Sequence, residues 1–201
     1  MSIRLKIASF WLPDFILKRE LDNVAEKTIT GLNNVLKQHK PEKMEEIIKK
    51  DQILRGNLEE RRSIMASIHN NRVNALIEVL GYEKAIEFGR NAMFKVGYQL
   101  GQDARRRLGV GTSFEDLEAA AKILYRILGI EFKIENKGGK IIMVVNRCAL
   151  SKYYSPEACM VLSAADEGVV RGLNNNMNMK FKERITEGAL DCIAYINEVK
   201  V

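Results

Sequence analysis

The hydrophobic period of this chain changes at Gly129. Up to Leu128 apolar residues recur at three- and four-residue spacing, whereas beyond it Ile130, Phe132 and Ile134 alternate with Glu131, Lys133 and Glu135. A helix presents one face at a period of 3.6 and a strand at a period of two, so no single regular element covers both segments. The chain therefore reads as α+β, with N-terminal helices packed on an antiparallel sheet of two hairpins joined by a helix. Lys137, Gly138 and Gly139 turn the first hairpin. Its second strand, Lys140 to Val145, is apolar at both parities and so more buried, and delivers Cys148 at its end. Ser155, Pro156 and Glu157 form a helix start, with a cap, a first-turn proline and an acid near the positive end of the dipole. After Asn174, Asn175 and Asn176, the segment Met177 to Ile185 alternates as a strand, Glu187 and Gly188 turn it, and Leu190 to Val199 returns.

Upstream, a helix after Pro13 carries Phe15, Leu17, Leu21, Val24, Ile29, Leu32 and Leu36 at helical spacing; Pro41 starts a second, and Asn57 caps a third that ends before Gly81. This divides the chain into an N-terminal helical segment, 1–70, and an α+β ligand- or metal-binding domain, 71–201. The apolar stripe after Pro13 makes that helix a candidate dimer arm. His69, with no second histidine or acid four residues on, reads as a hydrogen-bonded structural histidine. Gly97 and Gly101 share a helix face at about 1 kcal/mol each against alanine, which points to close approach of another backbone rather than a ligand. Thr112, Ser113, Phe114 and Glu115 have the form of a capping box.

Composition narrows the function. The 201 residues carry a formal charge of +6, with cations interleaved with acids along the helices, and Arg105, Arg106 and Arg107 form the one tight basic cluster. A solvated helix end accounts for that cluster, which speaks against nucleic acid as a partner. The short apolar run before Pro13 is neither a signal peptide nor a membrane span. Three cysteines without the spacing of a disulfide scaffold indicate a reducing, cytoplasmic setting.

All three cysteines, Cys148, Cys159 and Cys192, fall in the C-terminal third, which makes it the candidate site. Alternation sets Met179, Phe181, Glu183 and Ile185 on one face of their strand, so Glu183 is expected on the apolar side. Pairing the last hairpin about its turn places Glu183 opposite Cys192, with side-chain roots about 5 Å apart. A buried carboxylate needs a proton, a cation or a metal beside it. Cys148, Cys159, Glu183 and Cys192 would together suit zinc, and an open position on it could hold an activated water. An iron–sulfur cluster is the lesser alternative, for want of close cysteine spacing. The bland reading is that the cysteines are small buried hydrophobes. On the helix after Pro156, Cys159, Ser163 and Asp166 lie on one side, bordering the core stripe.

The segment Phe181 to Ile196 resembles the closing hairpin of 4-vinyl reductase-type small-molecule-binding domains. The zinc-binding sensors among them have a cysteine before a glutamate on the first strand and two cysteines after it. Cys159, Glu183 and Cys192 match three of those positions, and Thr186 stands at the fourth. A longer resemblance, from about Arg72 to Ile196, is to the L-2-amino-thiazoline-4-carboxylic acid hydrolase family. It rests on Gly81 to Ala85, the glycine-containing helix through Gly97, Cys148 closing a strand, Cys159 followed by Asp166 and Glu167, and Gly188 with Cys192. That resemblance implies a hydrolase opening a cyclic amidine carboxylate. Asp166 is then the candidate general base, and Cys148 serves as metal ligand or, if its pKa is depressed, as nucleophile. The rival expectation is a non-catalytic zinc-containing module that holds or senses an apolar small molecule.

Overall fold

The computed structural model describes residues 2–199. Six helices come first: α1 (Ile3–Phe10), α2 (Asp14–His39), α3 (Pro41–Ile48), α4 (Leu58–Leu80), α5 (Tyr82–Leu108) and α6 (Phe114–Leu128). The hairpin β1 (Ile130–Lys137) and β2 (Lys140–Cys148) follows, then α7 (Pro156–Leu173), β3 (Met177–Glu183) and β4 (Cys192–Glu198). The strands form one antiparallel sheet in the order β1-β2-β4-β3. β2 is an inner strand, with β1 on one edge and β4 on the other, and the β2–β4 pairing joins the two hairpins.

Capping chemistry fixes the helix starts. Asn57 Oδ1 accepts from the Glu59 and Glu60 amides at 2.9 and 3.0 Å while Glu60 Oε2 accepts from the Asn57 amide at 2.7 Å, a complete capping box. Ser155 caps α7 through Ala158 N at 3.1 Å. At α6 the expected box is displaced by one residue. Ser113, not Thr112, accepts from the amide three residues on, at 3.1 Å, and Asp116 reaches back to the Gly111 amide at 2.9 Å. Residues 3–10, legible only as a short apolar run, form α1, whose Ser2 cap accepts from Leu5 N and donates to Leu108 O at the end of α5.

α5 and α7 pack backbone to backbone. A Cβ on Gly97 would stand 1.9 Å from Ala165 O, one on Gly101 2.4 Å from Val169 O, and one on Gly168 2.2 Å from Phe94 O. Glycine is required there by contact with the facing helix, as the helical spacing of Gly97 and Gly101 indicates. α2 lays Leu17, Leu21, Ala25, Leu32 and Leu36 against α4, α5 and α6, while Phe15, the first residue of the stripe expected on a dimer arm, stays exposed. α4 runs unbroken through residue 70. Two buried arginines tie the helices together: Arg72, fully buried, bonds Asn33 and forks onto Asp51, and Arg62 donates to the last carbonyls of α6 at Arg126 and Ile127. No helix among the described residues is long and apolar enough to cross a membrane.

Candidate functional site

Between α2, α4, α6, α7 and the sheet lies a cavity of about 140 Å³. Its walls are mostly apolar, with Val24, Met65, Leu124, Ile127, Leu162 and Phe181 among them. Cys148 from β2, Cys159 and Asp166 from α7, and Cys192 from β4 all border it, so residues scattered over 45 positions of sequence share one wall. Glu183 does not join them. Between Met179 and Phe181 the hairpin keeps the expected register, Met179 opposite Ile196 and Phe181 opposite Ala194, but a bulge after Phe181 sets Glu183 against Ile193. One extra residue reverses the alternation, leaving Glu183 exposed and turning Arg184 inward at 8% exposure. The inward charge at the end of this strand is therefore the Arg184 guanidinium, and the expectation of a buried acid at 183 is corrected.

Arg184 Nε donates to Ser163 Oγ at 3.2 Å, its Nη1 reaches both Glu187 oxygens at 3.4 Å, and its guanidinium lies 5.6 Å from the Phe181 ring centre. The Asp166 carboxyl is pushed up to about 7, first by burial and then by the neighbouring Glu167 charge, while Tyr125 and Arg184 restrain the rise. Glu167 is itself engaged, accepting from Arg90 at 2.8 Å and from the Phe181 amide at 3.3 Å. Tyr125 is 6% exposed, stacks edge-on against Phe132, and its hydroxyl has no hydrogen bond of regular geometry, although it stands beside Asp166. That hydroxyl and the Asp166 carboxyl face each other on the cavity wall.

Burial pushes the Cys148 thiol up to about 12 and Cys159 to about 11, and raises Cys192 as well. The depressed pKa that a nucleophilic Cys148 requires is absent, because apolar walls disfavour the thiolate. Cys192 Sγ accepts from the Ile185 amide at 3.3 Å. Among the described residues no three His, Cys, Asp or Glu side chains are grouped closely enough to hold a metal ion, and Glu183 faces away from the thiols. This donor set does not fit the tetrahedral zinc centre that the four expected ligands implied.

On the opposite wall His69, 1% exposed, is held neutral with a pKa lowered to about 3, mainly by burial and then by Arg72. Thr28 Oγ1 donates to Val24 O at 2.8 Å, so it accepts from His69 Nε2 at 2.9 Å, and His69 Nδ1 accepts from the Tyr154 hydroxyl at 2.7 Å. This closed chain is structural. Sequence reasoning missed Tyr125, Tyr154 and Arg184. A tyrosine one step off the α6 core stripe was the available signal for the first; none marked the bulge that turns Arg184 inward.

The model of the L-2-amino-thiazoline-4-carboxylic acid hydrolase family matches residues 61–194, which include Tyr125, Asp166, Arg184 and all three cysteines. The chain belongs to that family. No curated protein matches it. Among solved structures this family member is similar to a trafficking protein particle complex subunit 3 from Naegleria fowleri, covalently bound to palmitic acid, with a TM-score of 0.54 and 14% identity over 69% of this chain and 95% of that one. It is also similar to the phenol-responsive sensory domain of the transcription activator PoxR with phenol, with a TM-score of 0.48 and 13% identity over 73% and 76% of the two chains. At these identities the first likeness is one of fold.

Proposed function

We propose that this member of the family hydrolyses a compact ring carboxylate of the 2-amino-thiazoline-4-carboxylate class inside the cavity. The observation that carries the reading is Asp166: a carboxyl on a cavity wall with a pKa near 7 is matched to proton transfer at neutral pH. A hollow of about 140 Å³ suits a single small ring, since an apolar cavity of about 150 Å³ takes benzene. In this reading Arg184 holds the substrate carboxylate, and Asp166 takes a proton from a water as its oxygen bonds to the amidine carbon. The ring bond to that carbon then breaks, and Asp166 returns the proton to the departing ring atom. The Tyr125 hydroxyl supplies a hydrogen bond to charge that develops during the addition. The neutral thiols shape the wall.

The test is incubation of purified protein with L-2-amino-thiazoline-4-carboxylate, following gain of one water by mass spectrometry. Turnover that disappears in Asp166→Asn supports the reading; no turnover at any pH between 6 and 9 removes it.

One observation favours a second reading, a binding module without turnover: apart from the Asp166 and Arg184 corner the walls are apolar, and the thiols are uncharged. A structure of similar fold, covalently bound to palmitic acid, supports this reading. Saturable binding of a small apolar ring without chemistry would select that reading.

A further inference from the structure

Of the residues that line the cavity, Arg107 alone is exposed, with 54% of its side chain in solvent. It therefore marks the mouth, between the first half of α2 and the end of α5. Across that mouth Arg107 Nη1 and Nη2 donate to the two Glu20 oxygens at 3.0 and 2.9 Å, and Glu20 is only 16% exposed. Outside it opens a second hollow, which shares Glu20, Asn23 and Arg107 with the cavity and adds Arg19, Lys27, Asp103 and Arg106. Lys27 and Arg106 both donate to Asp103, at 3.0 and 2.5 Å, and Arg19 shares Glu20 with Arg107 at 3.3 Å. Four cations thus divide two carboxylates, leaving an excess of two positive charges at the entrance to an apolar chamber.

We infer that this vestibule is the entry subsite for small monocarboxylates with an apolar or ring-shaped body, whose carboxylate exchanges for Glu20 on Arg107 before the body passes inside. The inference rests on the cavity being the ligand site, and adds where the ligand enters and what charge it carries. Each vestibule carboxylate already serves two cations, so Glu20 keeps Arg19 as a partner when an incoming anion takes its place on Arg107. A positive rim around a low-dielectric opening concentrates anions and speeds their capture, an effect that salt screens. The Arg107–Glu20 fork is a partly exposed pair worth roughly 1 kcal/mol at most, so an anion can part it.

Ligand-detected NMR of benzoate and its uncharged isostere benzamide, on the full chain, gives the affinity and association rate of each. Benzoate is expected to associate faster in the wild type, with a rate that falls about tenfold between low salt and about 0.5 M salt. Benzamide should show no such dependence. Arg107→Gln should slow benzoate about tenfold and Glu20→Gln should speed it, with benzamide unchanged in both. A thermal melt of each variant checks that the chain is folded, and the wild-type salt series needs no variant. Equal salt dependence for the two probes, or no binding of benzoate, overturns the entry subsite. Turnover of the thiazoline carboxylate in the same preparation would leave the hydrolase reading standing, so the two failures are separable.

Discussion

Arg184 donates from Nε to the hydroxyl of Ser163, 3.2 Å away, and so fixes a guanidinium on the cavity wall beside Asp166. If that guanidinium holds a substrate carboxylate, Arg184→Ala should raise KM about 10- to 100-fold, the loss expected for a charge-assisted contact of about 1.5–3 kcal/mol. Glu183→Gln, one residue away on the exposed side of the bulge, should change neither kinetics nor zinc content by elemental analysis. An Arg184→Ala enzyme with unaltered KM would count against the assignment.

The Asp166 carboxyl makes activity and stability depend on pH in opposite senses. As a base with a folded pKa near 7 it should give a kcat that rises with pH and levels off above about 7. Its folded pKa lies above the ordinary value of 3.8, so between those limits the folded state binds more protons than the unfolded one. Stability from this group is thus complete below about pH 4 and lost as pH rises through about 7, by on the order of a few kcal/mol. Urea titrations at pH 5 and pH 8 should show this slope in the wild type and its flattening in Asp166→Asn.

Gly97→Ala should be among the most damaging substitutions outside the cavity. Its Cβ meets the Ala165 carbonyl, a backbone group on the facing helix that no rotamer change can move. Overpacking of this kind costs about 1–3 kcal/mol and more when backbone must shift. Thermal unfolding should register a drop of about 5 °C or more, against a negligible one for Lys122→Ala on the exposed face of α6.

Thr28→Val keeps the shape of the side chain and removes the acceptor of His69 Nε2. A buried N–H without a partner costs about 1–3 kcal/mol, so chemical denaturation should show a loss in that range. Tyr154→Phe, which leaves the other ring nitrogen without its donor, should cost a similar amount, and the double variant less than the sum.

Much of the architecture was written in local patterns. The change of period at Gly129, the caps at Asn57 and Ser155 and the turn at Gly188 each act within a few residues, and each falls where expected. The register of the closing hairpin also holds from Met179 to Phe181. What escaped was the bulge that follows. An extra residue in one strand leaves no mark in composition or spacing, yet it inverts the alternation, so the buried charge changes sign from Glu183 to Arg184. The convergence of Cys148, Cys159 and Cys192 follows from how β2, α7 and β4 pack, which spacing suggested; their protonation follows from apolar walls that come largely from other elements. α1 was hidden because eight residues around Leu5 hold a helix only through a cap and contacts to α5 and α6.

The glycine seam joining α5 to α7 has a consequence for selectivity. Two backbones in direct contact cannot approach further, and separating them would forfeit the whole seam at once, so they behave as one stiff beam. α7 carries Asp166, Cys159 and Ser163, and these groups keep fixed spacing whatever enters. Accommodation must come from the other side, where α2 is held over the chamber by side-chain contacts. A bulkier guest would be admitted by tilting α2, and variants that loosen its seat on α4 should broaden the range of molecules accepted while leaving the chemistry in place.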